Sequence, residues 1–184
     1  MNEKRYETRH IYLALGVCIP IFAPILLLFV PQTVAQILYY SKDTWYVFTP
    51  GENFTAFAIG FLLIFLATIL LFILDIKKIS IFLSISCVIL SILCFIIASF
   101  SYKSLSDEEL SYRSMFSMNH YTYTWEEVES IEYGKIDEKG NLGCTIIFTD
   151  GNSMTLKIDG YFKAIQYKFK NKLKEINKSI YSNG

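Results

Sequence analysis

At 184 residues, with 17 Lys or Arg against 17 Asp or Glu, the chain carries no net charge, which excludes the broad basic field of a nucleic-acid binder. Hydrophobic residues make up 53% and mean hydropathy is +0.36, yet 23 of the 34 charged residues lie after Phe100. Charge therefore divides the chain into a lipid-compatible first part and a water-compatible second part.

Residues 1–10 form a basic leader carrying Lys4, Arg5 and Arg9. Three charge-free runs follow, at 11–30, 54–74 and 79–100. At about 1.5 Å per residue each reaches roughly 30 Å, the thickness of the bilayer hydrocarbon, so all three are predicted as transmembrane helices. Pro20 and Pro24 each remove an amide donor from the first run and predict a kink there. A cleaved signal peptide is the alternative for this run, with a weak small-residue site at Thr33 to Ala35, but its apolar stretch is longer than a secretory signal needs.

Between the first two spans lies an aromatic loop, 31–53, with Tyr39, Tyr40, Trp45, Tyr46 and Phe48. Aromatic rings at this position are expected to anchor the chain at headgroup level. The second and third spans are joined only by Asp75 to Lys78, so they are predicted as antiparallel neighbours. In the third span Ser80, Ser84, Cys87, Ser91, Cys94 and Ala98 recur at helical spacing, and the second offers Ala56, Gly60 and Ala67. Lipid tails solvate Leu as well as a neighbouring helix does, so close approach through small side chains is what holds such helices together. This candidate packing seam could serve the hairpin itself or a homo- or hetero-oligomer.

Lys4, Arg5 and Arg9 in the leader and Lys77 and Lys78 in the turn outweigh the single Lys42 of the loop. The positive-inside rule then puts the N-terminus in the cytoplasm and, after three crossings, residues 101–184 outside. A re-entrant first run would reverse that side.

From residue 101 the period changes to that of strands. SYRSMFSM, HYTYTW, IEYGKI, GCTIIFT and SMTLKI are β-prone, and Asp150-Gly151-Asn152 between the last two is a strong hairpin signal, because the turn needs the positive φ that Gly and Asn accept. A second turn is expected at Glu138 to Gly143. From Phe162 the apolar spacing becomes helical, through Ile165, Phe169, Leu173, Ile176 and Ile180, with Asp159-Gly160 as its start. The fold class predicted is thus a three-helix membrane region plus a small α+β domain, an antiparallel meander of about five strands closed by an amphipathic helix. Lys163, Lys168, Lys170, Lys172 and Lys174 on that helix are candidate contacts for an anionic surface.

The segment YTYTWEEVESIEYG, residues 121–134, gathers four glutamates beside aromatics. Tyr121 and Tyr123 alternate on a strand, Trp125 and Val128 peg a turn, and Glu126, Glu127, Glu129 and Glu132 fall at the wet positions, which reads as framework. This order of elements resembles that of the bacterial pleckstrin-homology-like domains found after transmembrane spans in small multi-pass membrane proteins. In those domains a strand runs into a turn of the form Trp-Glu/Asp-x-Ile/Val, matched here by Trp125, Glu126, Glu127 and Val128, and the resemblance covers about Asp107 to Asn177. It implies a PH-like, non-catalytic domain. Some membrane proteins with such domains protect their producers from leaderless bacteriocins, so the resemblance also implies self-protection as a possibility.

Four cysteines without a C-x-x-C pair and two histidines far apart in sequence argue against a zinc site or a disulfide framework. No G-x-S-x-G, H-E-x-x-H or Gly-rich phosphate loop occurs, and no catalytic, metal or cofactor residue is assigned. The expected function is a non-enzymatic membrane protein whose tethered domain docks a protein or lipid. The alternatives are immunity against a bacteriocin or toxin peptide, and an accessory subunit of a larger membrane complex.

Overall fold

A computed structural model of the chain describes residues 2–136, 140–178 and 180–182. The first apolar run belongs to one continuous helix, α1, Asn2–Tyr39, which takes in most of the basic leader and contains Pro20, Pro24 and Pro31. Its 38 residues measure about 57 Å. The helix runs beyond the expected span of 11–30 on both sides and passes the prolines without a re-entrant turn, because the apolar and helix-forming residues on either side carry it past each missing donor. After strand β1, Thr44–Phe48, come helices α2, Gly51–Ile73, and α3, Lys78–Phe100. All three helices are long and apolar enough to cross a membrane. In the turn between α2 and α3, Asp75 and Ile76 take left-handed φ values of 54° and 53°, which reverses the chain within a few residues.

Among the described residues, eight strands and one further α-helix make up the rest: β1, then β2 Tyr102–Ser106, β3 Glu109–Arg113, β4 Tyr121–Thr124, β5 Val128–Lys135, β6 Leu142–Phe148, β7 Ser153–Lys157, helix α4 Gly160–Glu175, and β8 Ile180–Ser182. They form two small sheets in place of the single five-strand meander expected. One is antiparallel in the order β1-β2-β3-β4; the other runs β7-β6-β5-β8, with β7, β6 and β5 antiparallel and β8 parallel to β5. A single 3-10 turn, Trp125–Glu127, interrupts the chain between β4 and β5 and moves it from one sheet to the other.

The chain divides into two compact units, residues 1–34 with 49–101, and residues 35–48 with 102–184. The second unit therefore takes a strand from the interhelical loop, which places Trp45, Tyr46 and Phe48 in a sheet, whereas Tyr39 ends α1 and Tyr40 after it is exposed. Thr44 pairs with Ser106 and Phe48 with Lys103, Val47 is fully buried and Phe48 nearly so. TWYVF is a run of β-branched and aromatic residues between Asp43 and Pro50, and its burial on a pleated sheet outweighs exposure at a headgroup layer.

Leu105, Leu110, Val128, Ile131, Ile146, Phe148, Met154 and Leu156 from the strands meet Phe162, Ile165, Phe169 and Leu173 of α4 in one core. Asp159 caps α4, its carboxylate accepting from the amides of Tyr161 at 2.9 Å and Phe162 at 3.0 Å. The helix ends five residues before Ile180, which lies in β8. Asn177 adopts φ 53°, its amide donates to the Lys174 carbonyl and that of Lys178 to the Leu173 carbonyl. That pair of bonds around a left-handed residue is a Schellman ending, so local capping stops a helix that apolar periodicity alone would extend. Of the turn expected at Glu138 to Gly143, residues 138 and 139 lie outside the described residues.

Candidate functional site

Three groups of residues stood out in the sequence, and the structure treats them differently. Along α3, Ser80, Ser84, Ser91 and Ala98 are buried, while Cys87 and Cys94 are half-buried. Facing them on α2, Gly60 and Ala67 are buried and Ala56 is half-buried. The Ser84 hydroxyl donates to the Ala67 carbonyl and the Ser91 hydroxyl to the Gly60 carbonyl, both at 2.8 Å. Each serine thus closes a contact between the two helices while satisfying its own polar group. Gly60 is small for a steric reason: a Cβ there would fall on the Phe95 ring, which lies 5.3 Å by ring centroid from both Phe57 and Phe61. The hydroxyl of Ser80 turns back to the Lys77 carbonyl within its own chain segment. Beside this seam is a cavity of about 510 Å³ whose lining includes Tyr12, Leu15, Ala67, Thr68, Ser84 and Val88.

Of the four glutamates in the 121–134 segment, Glu132 on β5 is half-buried, which departs from the wet position expected for it. Glu126, Glu127 and Glu129 are exposed. The Glu127 carboxylate accepts from the Thr124 amide at 2.7 Å, one half of a capping box that stabilises the 3-10 turn. Trp125 is buried, its indole N–H donating to the Ser106 carbonyl at 3.1 Å, so the turn is pinned to β2. Tyr123 stacks on Phe148 with ring centroids 3.8 Å apart and donates its hydroxyl to Asp150 at 2.7 Å. That bond, with the Asn152 amide donating to the same carboxylate, holds Asp150 below the usual carboxylate range; burial and the neighbouring anion raise Tyr123. The cluster orders the Asp150-Gly151-Asn152 turn, in which Gly151 takes φ +83°. His120 is exposed and is hydrogen-bonded to the Tyr102 and Thr122 hydroxyls at 2.9 and 3.0 Å. Among the described residues no group of three His, Cys, Asp or Glu side chains is placed to hold a metal ion.

The lysines of α4 separate into two flanks. Phe162, Ile165, Phe169 and Leu173 take the buried face. Lys163, Tyr167, Lys170 and Lys174, at intervals of 4, 3 and 4, share one exposed stripe, and Tyr167 is 77% exposed at its middle. Lys168 and Lys172 lie on the other flank, where Lys172 pairs with Glu175 at 3.1 Å. Among the described residues Lys163, Lys170 and Lys174 have no ion-pair partner. Helical spacing read from the sequence would have sorted the five lysines in the same way.

Two features went unnoticed in the sequence. One is β1, whose signal was its β-branched and aromatic composition. The other is the β3–β4 loop, residues 114–120, in which Phe116 and Met118 are 86% and 94% exposed although the stretch looked like a continuing strand. Compared with known protein families, with curated proteins and with solved structures, the chain finds no match in any of the three.

Proposed function

We propose that the chain is a non-enzymatic, three-span membrane protein that presents a PH-like unit as a docking module for an anionic surface. The observation that carries this reading is the exposed stripe of Lys163, Tyr167, Lys170 and Lys174, three cations around one ring without an acidic partner among the described residues. Cations on a rigid helix attract an anionic layer without a specific pocket, and a tyrosine among them supplies amphipathic contact area. Two sheets, of which one holds β1–β4 and the other the antiparallel β5–β7, with an amphipathic helix after β7, support the PH-like reading.

The pairing of β1 with β2 supports the proposed topology. It requires residues 44–48 and 102–106 to lie on one side of a bilayer, which α2 and α3 satisfy by crossing and returning. At the other end of the helices Arg9 forms an ion pair with Asp75 at 2.7 Å, bringing the leader to the turn that carries Lys77 and Lys78. The positive-inside rule assigns that basic end to the cytoplasm and hence the sheet unit to the outer side.

The test is binding of vesicles containing phosphatidylglycerol to the full chain held in neutral nanodiscs. Near a surface each lysine contributes about 1 kcal/mol, so the triple variant Lys163→Gln, Lys170→Gln, Lys174→Gln should weaken binding roughly 100-fold. Binding should also fall as salt rises. Equal, salt-independent binding by both proteins would show that the stripe is only a solvated helix face.

A further inference from the structure

We propose that the β3–β4 loop is an interfacial wedge, its Phe116 and Met118 side chains inserted among the lipids of the bilayer that the protein's own helices span; this rests on the three-span reading above. Residues 114–120, SMFSMNH, contain no Asp, Glu, Lys or Arg, and Phe116 and Met118 are the most exposed large apolar side chains among the described residues. The loop is not slack. Met115 is buried, the Arg113 Nε donates to the Ser117 carbonyl at 3.0 Å, and the Asn119 amide donates to the Ser117 hydroxyl at 3.1 Å. At its far end His120 is hydrogen-bonded to Tyr102 at 2.9 Å. An ordered loop that points two apolar groups outward has already met most of the ordering cost of inserting them.

Chain connectivity supplies the occupant. Ser101 caps α3 and Tyr102 opens β2 with no linker between them. Strand β3 is antiparallel to β2, and its last residue, Arg113, pairs with Tyr102, so β3 returns toward the helix end that β2 leaves. Three residues further on, Phe116 lies within about 20 Å of the α3 cap by chain reach alone. The same end of the sheet is tied a second time, since Phe48 pairs with Lys103 and α2 begins at Gly51. Tyr39 stacks on Tyr102 with centroids 3.6 Å apart, and the preceding Ile37 and Leu38 are 76% and 57% exposed. Exposed apolar side chains thus collect at the sheet end that is covalently held to the helices. By contrast the β2–β3 turn at the opposite end presents Asp107 and Glu108.

The experiment places a tryptophan at each end of the sheet in the full chain, Phe116→Trp and Glu108→Trp, in phosphatidylcholine–phosphatidylglycerol proteoliposomes, with the unchanged chain subtracted for Trp45 and Trp125. Brominated acyl chains should quench the added emission at 116 about twofold and leave that at 108 unaltered, while aqueous iodide should quench 108 several-fold more than 116. Equal iodide quenching at both positions, without quenching by bromine, would overturn the proposal. Shielding of 116 that ignores brominated lipid and persists in detergent would also overturn it, by showing contact with a second copy or another protein. Flotation and resistance to alkaline extraction are measured on the same samples. If the chain is retained in the vesicles and 116 is exposed, the wedge alone fails; if it is not retained, the three-span reading fails with it.

Discussion

Replacing Phe48 with alanine separates two accounts of the interhelical loop. If its aromatic residues only touched headgroups, the change would barely affect folding of the unit that follows α3. In the structure Phe48 is 8% exposed, lies on a strand paired to β2, and meets Tyr46 and Phe162 at ring-centroid distances of 4.8 and 6.4 Å. Removing a buried phenylalanine side chain from such a core costs about 3–5 kcal/mol, because transfer energy is lost and the surroundings do not collapse fully into the space. A domain of this size has total stability of about 5–15 kcal/mol, so the loss is a large fraction of it. One kcal/mol moves the melting midpoint by about 4–8 °C in a unit of 60–100 residues, which predicts a fall of at least 12 °C. The assay is near-ultraviolet circular dichroism of the full chain in detergent, which reads the packed rings of Tyr112, Tyr123 and Phe148. Phe29→Ala, at a 65% exposed position on α1, is the control and should leave the transition in place. A shift below about 5 °C for Phe48→Ala would refute the reasoning, since it implies about 1 kcal/mol or less.

Gly60→Val should loosen the α2–α3 hairpin by about 1–3 kcal/mol, because the new side chain meets a Phe95 ring held between Phe57 and Phe61. Ser91→Ala, which removes only the bond to the Gly60 carbonyl, should cost nearer 0.6 kcal/mol, and thermal loss of the folded hairpin in detergent measures both. A cysteine at Lys174 should react with a membrane-impermeant maleimide in intact cells if the sheet unit faces outward, while native Cys144 stays silent until unfolding. Cys144 is fully buried and burial pushes its thiol up to about 12, so the reactive thiolate is scarce in the folded protein. The unfolded thiol ionises near 9.0 and the folded one near 12, so this group's contribution to stability is whole below pH 9 and declines as pH rises toward 12.

Uncharged length and hydropathy determined by themselves that three helices form, because burying or solvating twenty apolar residues leaves few alternatives to a long helix in lipid or core. The short turn at 75–78 determined that α2 and α3 are antiparallel, and the Asp-Gly-Asn turn determined a hairpin between β6 and β7 through backbone sterics alone. The framework role of the glutamates was also legible, since alternation set Tyr121, Tyr123, Trp125 and Val128 against the wet positions. Only tertiary structure decided where Thr44–Phe48 belong. A run of five β-prone residues, three of them aromatic, is compatible with an interface or a sheet, and the choice rests on a partner strand more than fifty residues away whose edge and core must be filled. Tertiary structure likewise decided the division into two sheets at Trp125, whose indole finds its acceptor on β2. The exposure of Phe116 and Met118 belongs to the same category. Their neighbours read as strand, and it is the pairing of Tyr112 with Tyr121 that closes the ladder and turns the residues between them outward as a loop.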